Sequence, residues 1–487
     1  MDPVFQLAIA LPARGSRERL RALHVQLRAA ILDGRLQPGL RLPATRALAD
    51  TLGVSRNTAV AAYDLLLSEG YLQARPGADT YVADMLARPA PHRRAARRDS
   101  AAPDARLAAP WRTLPPLLQP LPGTPYRHDL RTGLPDPHAF PFDVWRRLAA
   151  RQLRAFAKAP QAYAEPQGRA ALRAAIASHV SFTRAVACSA DDVLVTAGAQ
   201  QAFDLLARIL VTPRRTLVAL EDPGYPPLRA AFAAQQARLA SVPVDDEGLR
   251  VDRLPAGTRV ICVTPSHQFP LGVAMSARRR AELLAFAREH GAVIIEDDYD
   301  GEFRFGGRPL DALQTLDGAG SVFYVGTFSK VMFPALRIGF VVAPPWAQPA
   351  LAAAKQLADW QVPPMMQDTL AAFIAEGHLV RHVRKMRGVY AQRRETLLHA
   401  LARHCGALQP IASEAGLHLS AHLPGRLPAP VAVERAADAG LAVEALQRYR
   451  ATPAARGTAI NGLAMGYGLI EAARIEDAVR VLARCLR

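Results

Sequence analysis

The feature that most restricts how this chain can fold is a repeated unit, a short run of apolar and β-branched residues that stops abruptly in polar ones. Val193-Leu194-Val195-Thr196 ends in Ala197-Gly198-Ala199-Gln200, and Leu217-Val218-Ala219-Leu220 ends in Glu221-Asp222-Pro223-Gly224-Tyr225. Val260-Ile261-Cys262-Val263 leads into Thr264-Pro265-Ser266-His267, and Ala292-Val293-Ile294-Ile295 leads into Glu296-Asp297-Asp298-Tyr299-Asp300. Val322-Phe323-Tyr324-Val325 leads into Gly326-Thr327-Phe328-Ser329-Lys330. Apolar runs of this length without polar alternation are strands buried on both faces. Amphipathic stretches between them, such as the one through Leu205, Leu206 and Ile209, predict an α/β fold with a mostly parallel sheet. In such a sheet ligands bind beyond the carboxyl ends of the strands, so the polar residues after each run are the candidate site.

The stretch from Ala292 to Arg337 concentrates that chemistry. It offers a carboxylate (Asp297), a phenol (Tyr299), hydroxyls (Thr327, Ser329) and an amine (Lys330), a set suited to an aromatic aldehyde phosphate. Gly198-Ala199-Gln200 opens a helix whose free N–H groups would accept the phosphate. Each signal is weak alone: a lysine after a strand is usually solvated, Asp-Asp-Tyr-Asp can cap a loop, and Asp-Pro-Gly-Tyr is a good turn. Their joint order is harder to dismiss. Lysine is also rare, since arginine supplies all of the 60 basic residues except Lys158, Lys330, Lys355 and Lys385.

At 487 residues the chain is too long for one core. A net charge of +17 points to a polyanionic partner, although the arginine and alanine bias accounts for part of it. Cys188, Cys262, Cys405 and Cys485 are widely scattered and form no CxxC pair, which argues against a disulfide framework or zinc site and is compatible with a reducing cytosol. No basic leader or 18-residue apolar run is present, so a membrane location is not expected.

Residues 14–85 read as a small separate module. Leu20, Leu23, Leu27 and Ile31 recur at helical spacing before Gly34, Pro43 opens a second helix carrying Leu48 and Leu52, and Gly53-Val54 turns tightly to Ser55. Ser55 is a good N-cap for a third helix to about Glu69, expected to bury Val60, Tyr63, Leu66 and Leu67 and to expose Arg56, Asn57 and Thr58. Gly70-Tyr71-Leu72 and Thr80-Tyr81-Val82 flank Arg75-Pro76-Gly77 as a hairpin wing. Helix, glycine turn and a helix starting with Arg and Asn is the helix-turn-helix arrangement, whose second helix enters a major groove. The alternatives are a solvated three-helix bundle or a docking module for protein.

The runs Leu42-Pro43-Ala44-Thr45-Arg46-Ala47-Leu48-Ala49, Leu52-Gly53-Val54-Ser55-Arg56-Asn57-Thr58 and Glu69-Gly70-Tyr71-Leu72 resemble the winged helix-turn-helix of the GntR family. The resemblance implies an α+β DNA-binding domain in which Arg46, Ser55, Arg56, Asn57 and Thr58 meet an operator duplex. The family often has Gly-Ser-Gly-Thr in the wing where this chain has Gly77-Ala78-Asp79-Thr80, and Asp79 suits a phosphate backbone poorly.

Residues 86–125 hold nine prolines and seven arginines with no apolar periodicity and read as a linker, with an end-to-end span of roughly 35 Å. Arg93, Arg94, Arg97 and Arg98 would add sequence-independent DNA affinity or simply be solvated.

The order of the strand-end motifs over 126–487 resembles the fold type I pyridoxal 5'-phosphate aminotransferases, which implies an α/β domain with a smaller C-terminal subdomain. By that resemblance Lys330 would form the Schiff base with the cofactor, Asp297 would pair with its ring nitrogen, and Tyr299 would bond the ring hydroxyl. Gly198, Ala199, Gln200, Thr327, Ser329 and Arg337 would hold the phosphate, Tyr225 would lie against the ring, and Tyr163 would reach the phosphate from a partner subunit of a homodimer. Two features depart from the pattern. Phe269-Pro270-Leu271-Gly272 replaces Asn-Pro-Thr-Gly, removing an asparagine at the ring hydroxyl. The strand Leu463-Ala464-Met465-Gly466-Tyr467 has no arginine for a substrate carboxylate, leaving Arg448, Arg450 or Arg456 to substitute.

A GntR-like module, a proline-rich linker and an aminotransferase-like domain in this order resemble the MocR-type transcriptional regulators, as do His267-Gln268-Phe269-Pro270 and Glu296-Asp297-Asp298-Tyr299-Asp300. The resemblance implies a cytoplasmic regulator that senses pyridoxal phosphate itself or an amine or amino acid. The competing reading is a working aminotransferase with an appended helical module.

Overall fold

The computed structural model describes residues 9–13, 16, 18–75, 79–84, 106–113, 126–158, 162–306, 311–451 and 460–487. The tip of the wing (Pro76, Gly77, Ala78), Arg93, Arg94, Arg97, Arg98, Arg456 and most of the expected linker lie outside these. The chain divides into two compact units, residues 1–103 and 104–487.

The first unit holds α1 (Arg19–Leu32), α2 (Thr45–Leu52), α3 (Arg56–Ser68) and an antiparallel pair, β1 (Leu72–Arg75) with β2 (Asp79–Val82). Gly53 ends α2 at φ +61°, a left-handed conformation that glycine adopts without strain. Two residues later the Ser55 Oγ accepts the Thr58 N–H at 3.1 Å and starts α3. The core is Leu23, Leu27, Leu48, Ala59, Ala62, Tyr63, Leu66 and Val82, with Ile9 and Leu11 packed on it. Val60 and Leu67, expected inside, are only half-buried. The alanines at 59 and 62 lie on the face with Tyr63 and Leu66 and let α3 come close to α1, so small residues form much of this helix's buried face.

The second unit opens with a short helix, α4 (Ala109–Thr113), inside the stretch read from sequence as featureless linker. Then come β3 (His128–Asp129), α5 (Phe142–Phe156), α6 (Ala170–Arg184), β4 (Val193–Thr196), α7 (Ala199–Leu210), β5 (Leu217–Asp222), α8 (Pro226–Ala234), β6 (Arg238–Asp245), β7 (Gly248–Leu249) and β8 (Thr258–Val263). The central part finishes with α9 (Ala277–His290), β9 (Val293–Asp298), β10 (Val322–Thr327), β11 (Gly339–Val342), α10 (Gln348–Ala358) and α11 (Pro364–Ala375). The long α12 (His378–His404) leads to β12 (Gln409–Pro410), β13 (His418–His422), α13 (Ala429–Asp438), β14 (Leu441–Ala442), β15 (Glu444–Ala445), β16 (Gly462–Gly466) and α14 (Ala472–Cys485).

The eight-stranded sheet has the order β4-β11-β10-β9-β8-β5-β6-β7. β10, β9, β8, β5 and β6 are parallel, while β11 runs antiparallel to both β4 and β10. One face packs Phe203, Leu206, Phe232 and Leu351 against the sheet, and the other packs Leu283, Ala287 and Leu313. A smaller antiparallel sheet, β12-β13-β16-β15, carries α12, α13 and α14 as the C-terminal layer, and β3 pairs in parallel with β14. The five apolar runs are therefore β4, β5, β8, β9 and β10, and their carboxyl ends gather along one edge.

Candidate functional site

β9 buries three successive carboxylates, Glu296, Asp297 and Asp298. Strand alternation sends the outer two to one face, and both are answered there. Glu296 accepts the Leu313 and Gln314 N–H groups at 2.8 and 2.9 Å. Asp298 takes the Arg184 Nε at 2.6 Å and the Tyr324 hydroxyl at 2.7 Å. Asp297, on the opposite face, has a buried Oδ1 without a partner among the described residues. Burial, with Asp298 adding to it, holds the Asp297 carboxyl well above its ordinary range. A charged N–H set against that oxygen would reverse the cost, which is the chemistry a protonated pyridine nitrogen offers. The residues fit.

Lys330 follows β10 and donates from Nζ to the Gly133 carbonyl at 2.6 Å. Burial lowers its pKa below that of a free lysine, opposed by Asp300 and Asp297. That favours the neutral amine, the form able to attack an aldehyde. Gly133 closes over it at φ +71°, where a Cβ would stand 2.8 Å from Nζ. No signal in the sequence pointed to Gly133, which lies 197 residues away.

The antiparallel placement of β11 beside β4 brings the end of one to the start of the other. Gly198, at φ +80°, caps α7, and a Cβ there would lie 2.9 Å from an Arg337 Nη. Arg337 donates to the Ala197 carbonyl at 2.8 Å. Thr327 and Ser329 are joined by a 3.0 Å hydroxyl bond, and the Ser329 N–H donates back to Thr327 at 3.2 Å. The N–H groups of a 12-residue helix and one guanidinium thus form a cradle for an anion. Ala199 is its first helical residue. The Gln200 side chain turns away, donating to the Pro227 carbonyl at 3.1 Å.

Tyr225, 38% exposed, stands at the N-terminus of α8 with its ring edge-on to Phe269 at 5.5 Å, and desolvation of its hydroxyl, with the Asp297 charge, raises its pKa. Phe269 occupies the place of the missing asparagine and also meets Tyr299, His418 and Tyr449. The Tyr299 hydroxyl lies 2.9 Å from His267 Nδ1, which in turn faces Asp300 at 3.1 Å. Glu221, whose charge acts on Asp297, accepts the Thr264 hydroxyl at 2.6 Å, and burial pushes its pKa to about 7. β16 supplies no cation: Ala464 is buried in the same apolar cluster as Phe269, Tyr299 and Leu446. Arg448 faces Glu444 at 3.3 Å and Arg450 faces Asp222 at 3.5 Å.

Tyr163 is distant from this cluster in character. It is 78% exposed and packs on Trp360 with ring centroids 4.9 Å apart. In the first unit Arg46, Ser55, Arg56 and Asn57 are exposed, with Thr58 half-buried, so the first turn of α3 is open. Asp79 is ion-paired with Arg41 at 2.8 Å, which answers the charge the sequence left unpaired in the wing.

Two family models match: gntR-family bacterial regulatory proteins over residues 21–82, and aminotransferase class I and II over 133–449. The chain is 39% identical to the "Probable rhizopine catabolism regulatory protein MocR" of Rhizobium meliloti, covering 82% of this chain and 81% of the relative. It is 34% identical to the "HTH-type pyridoxine biosynthesis transcriptional regulator PdxR" of Corynebacterium glutamicum, covering 91% and 90%. Among solved structures it resembles LysN, an alpha-aminoadipate aminotransferase from Thermus thermophilus complexed with N-(5'-phosphopyridoxyl)-L-leucine. That match has 32% identity and a TM-score of 0.67, covering 74% of this chain and 91% of LysN. The strand-end site and the open helix are therefore halves of one known architecture, and the chain belongs to the regulators that join a GntR-family helix-turn-helix to an aminotransferase class I and II domain.

Proposed function

We propose that this protein is a cytoplasmic transcriptional regulator that binds pyridoxal 5'-phosphate through Lys330 and an operator duplex through the first turn of α3. The observation that carries the cofactor reading is Asp297, a buried carboxylate near the carboxyl end of β9 whose Oδ1 has no partner among the described residues and whose charge acts on a lysine of lowered pKa. Lys330 would hold the aldehyde carbon, Asp297 the ring nitrogen and Tyr299 the ring oxygen. Tyr225 would lie against the ring. Gly198, Ala199, Gln200 (through its backbone), Thr327, Ser329 and Arg337 would receive the phosphate. When bound, the cofactor's protonated ring supplies an electron sink at the carbon joined to nitrogen.

The functional division is 14–85 for DNA, 86–125 for connection and 126–487 for sensing. Exposed Arg46, Ser55, Arg56 and Asn57, with Thr58, would meet bases and phosphates. A homodimer would bring Tyr163 of each chain to its partner's phosphate cradle, consistent with the exposure of that ring. The signal is the cofactor or a small amine or amino acid that exchanges at Lys330, and its effect is limited to its difference in affinity between two dimer arrangements. The apolar surroundings of Ala464 favour the cofactor as signal, because β16 offers an amino acid no carboxylate partner.

Gel shift of the full-length protein against its own upstream DNA, with and without pyridoxal phosphate, tests this reading. Salt-dependent, sequence-selective binding that changes on adding the cofactor is expected; binding indifferent to it, yet changed by an amino acid, would remove the cofactor as signal. The likeness to LysN supports a second reading, a working aminotransferase. That reading requires multiple turnover of an amino acid and an oxo acid, abolished in Lys330→Ala.

A further inference from the structure

Tyr299, His267 and Asp300 form a buried chain whose protons can be counted. The Tyr299 hydroxyl is 2.9 Å from His267 Nδ1, and that nitrogen is 3.1 and 3.2 Å from the two oxygens of Asp300. An ionised carboxylate only accepts, so the nitrogen facing it carries the proton. Nδ1–H then donates to Asp300 and to the phenol oxygen, and it cannot accept from the phenol. The O–H proton of Tyr299 is left to point elsewhere. Burial, with Asp300 and Asp297, pushes the Tyr299 pKa well above its ordinary range, which keeps that proton on the phenol.

The imidazole is built in. A Cβ at Gly416 would lie 2.0 Å from His267 Cε1 and 2.6 Å from Asp300 Oδ2, and one at Gly272 would lie 3.2 Å from Nε2. Both glycines have positive φ, +86° and +83°, so the ring is clasped by two positions that strain any other residue. Beyond it stands His418, whose ring centroid is 4.8 Å away and whose Nε2 is 2.9 Å from the Pro270 carbonyl. Burial lowers the His418 pKa to about 3, so it adds no charge.

We propose that His267 is a positioning residue: fixed by Asp300, it holds the phenol oxygen of Tyr299 so that the O–H donates to the cofactor's ring oxygen, doing alone what the absent asparagine would share. This rests on the cofactor reading above. Its consequence concerns Lys330. The ring oxygen and the nitrogen of Lys330, once joined to the cofactor, share one proton. A donor on the oxygen stabilises it as an anion and weakens the nitrogen's hold on that proton. Without His267 the phenol would turn to donate to Asp300, and the nitrogen would hold its proton to higher pH.

The test is a pH titration of the visible absorbance of full-length protein loaded with pyridoxal phosphate, so that only folded, loaded molecules report. His267→Phe should raise the midpoint by about one unit, a tenfold change in the ratio of the two forms at fixed pH. Tyr299→Phe should raise it at least as much, and the double variant no further than Tyr299→Phe alone, since one residue acts through the other. His267→Asn, which keeps an N–H near Nδ1, should titrate close to wild type. A wild-type midpoint in His267→Phe beside a shifted Tyr299→Phe overturns the inference. So does an equal shift in His267→Phe and His267→Asn, which would mark a packing role. An unshifted Tyr299→Phe overturns it together with the assignment of Tyr299, whereas a wild type with no visible band overturns the cofactor reading itself.

Discussion

Single side chains here differ in what their burial asks of a ligand. Glu296 and Asp298 have protein donors, whereas the Asp297 Oδ1 has none among the described residues. Replacing Asp297 by Asn removes the charge and leaves the shape. Pyridoxal phosphate affinity should then fall roughly 10- to 100-fold, the weight of a hydrogen bond to a charged group, as read by absorbance titration. Glu221 makes a separate prediction about pH. Its folded-state pKa is raised from 4.5 to about 7, so the folded chain binds the proton more tightly than the unfolded one. The stability linked to that proton is complete below the unfolded value and is lost as pH rises through about 7. Denaturant midpoints should fall between pH 5 and pH 8 in wild type, and the fall should be shallower in Glu221→Gln. Glu296, also raised to about 7, accounts for part of what remains.

At the scale of elements, the strands were legible and their surroundings were not. Apolar runs ending in polar residues located β4, β5, β8, β9 and β10, because burial on both faces leaves an unbroken signature in composition. The helix-turn-helix was legible too, through the glycine turn and the Ser55 cap. What the sequence hid was partnership across distance. Gly133 over Lys330, Arg41 opposite Asp79 and Asp300 behind His267 are each set by tertiary approach, which no local spacing records. Ala59 and Ala62 escape notice for a related reason: small residues have weak apolar signatures yet decide how closely helices approach. The cap itself yields a prediction. Ser55→Ala should cost the first unit about 1 kcal/mol in thermal or denaturant unfolding. Arg56→Ala with Asn57→Ala should leave stability nearly unchanged and weaken operator binding by about 1–3 kcal/mol for each base no longer read, measured by gel shift at fixed salt.

The whole molecule joins a basic chain of net charge +17 to a site that, as proposed, two subunits complete. Mixed dimers test the second point. Lys330→Ala chains and Tyr163→Ala chains should each bind the cofactor poorly, the first losing covalent capture and the second weakening the phosphate cradle. Mixed together, half-complementary pairs should regain one intact site per dimer, measured as borohydride-fixed cofactor per chain. Failure to regain it would place Tyr163 outside the partner's site. A further consequence follows from the antiparallel seam between β4 and β11. The two sides of the phosphate cradle, Ala197 and Arg337, are 140 residues apart in the chain. During synthesis the glycine turn waits on the order of ten seconds or more for its arginine, at roughly 5–20 residues per second. A chain halted before Arg337 would have the glycine turn but lack the guanidinium that forms the other side of the cradle.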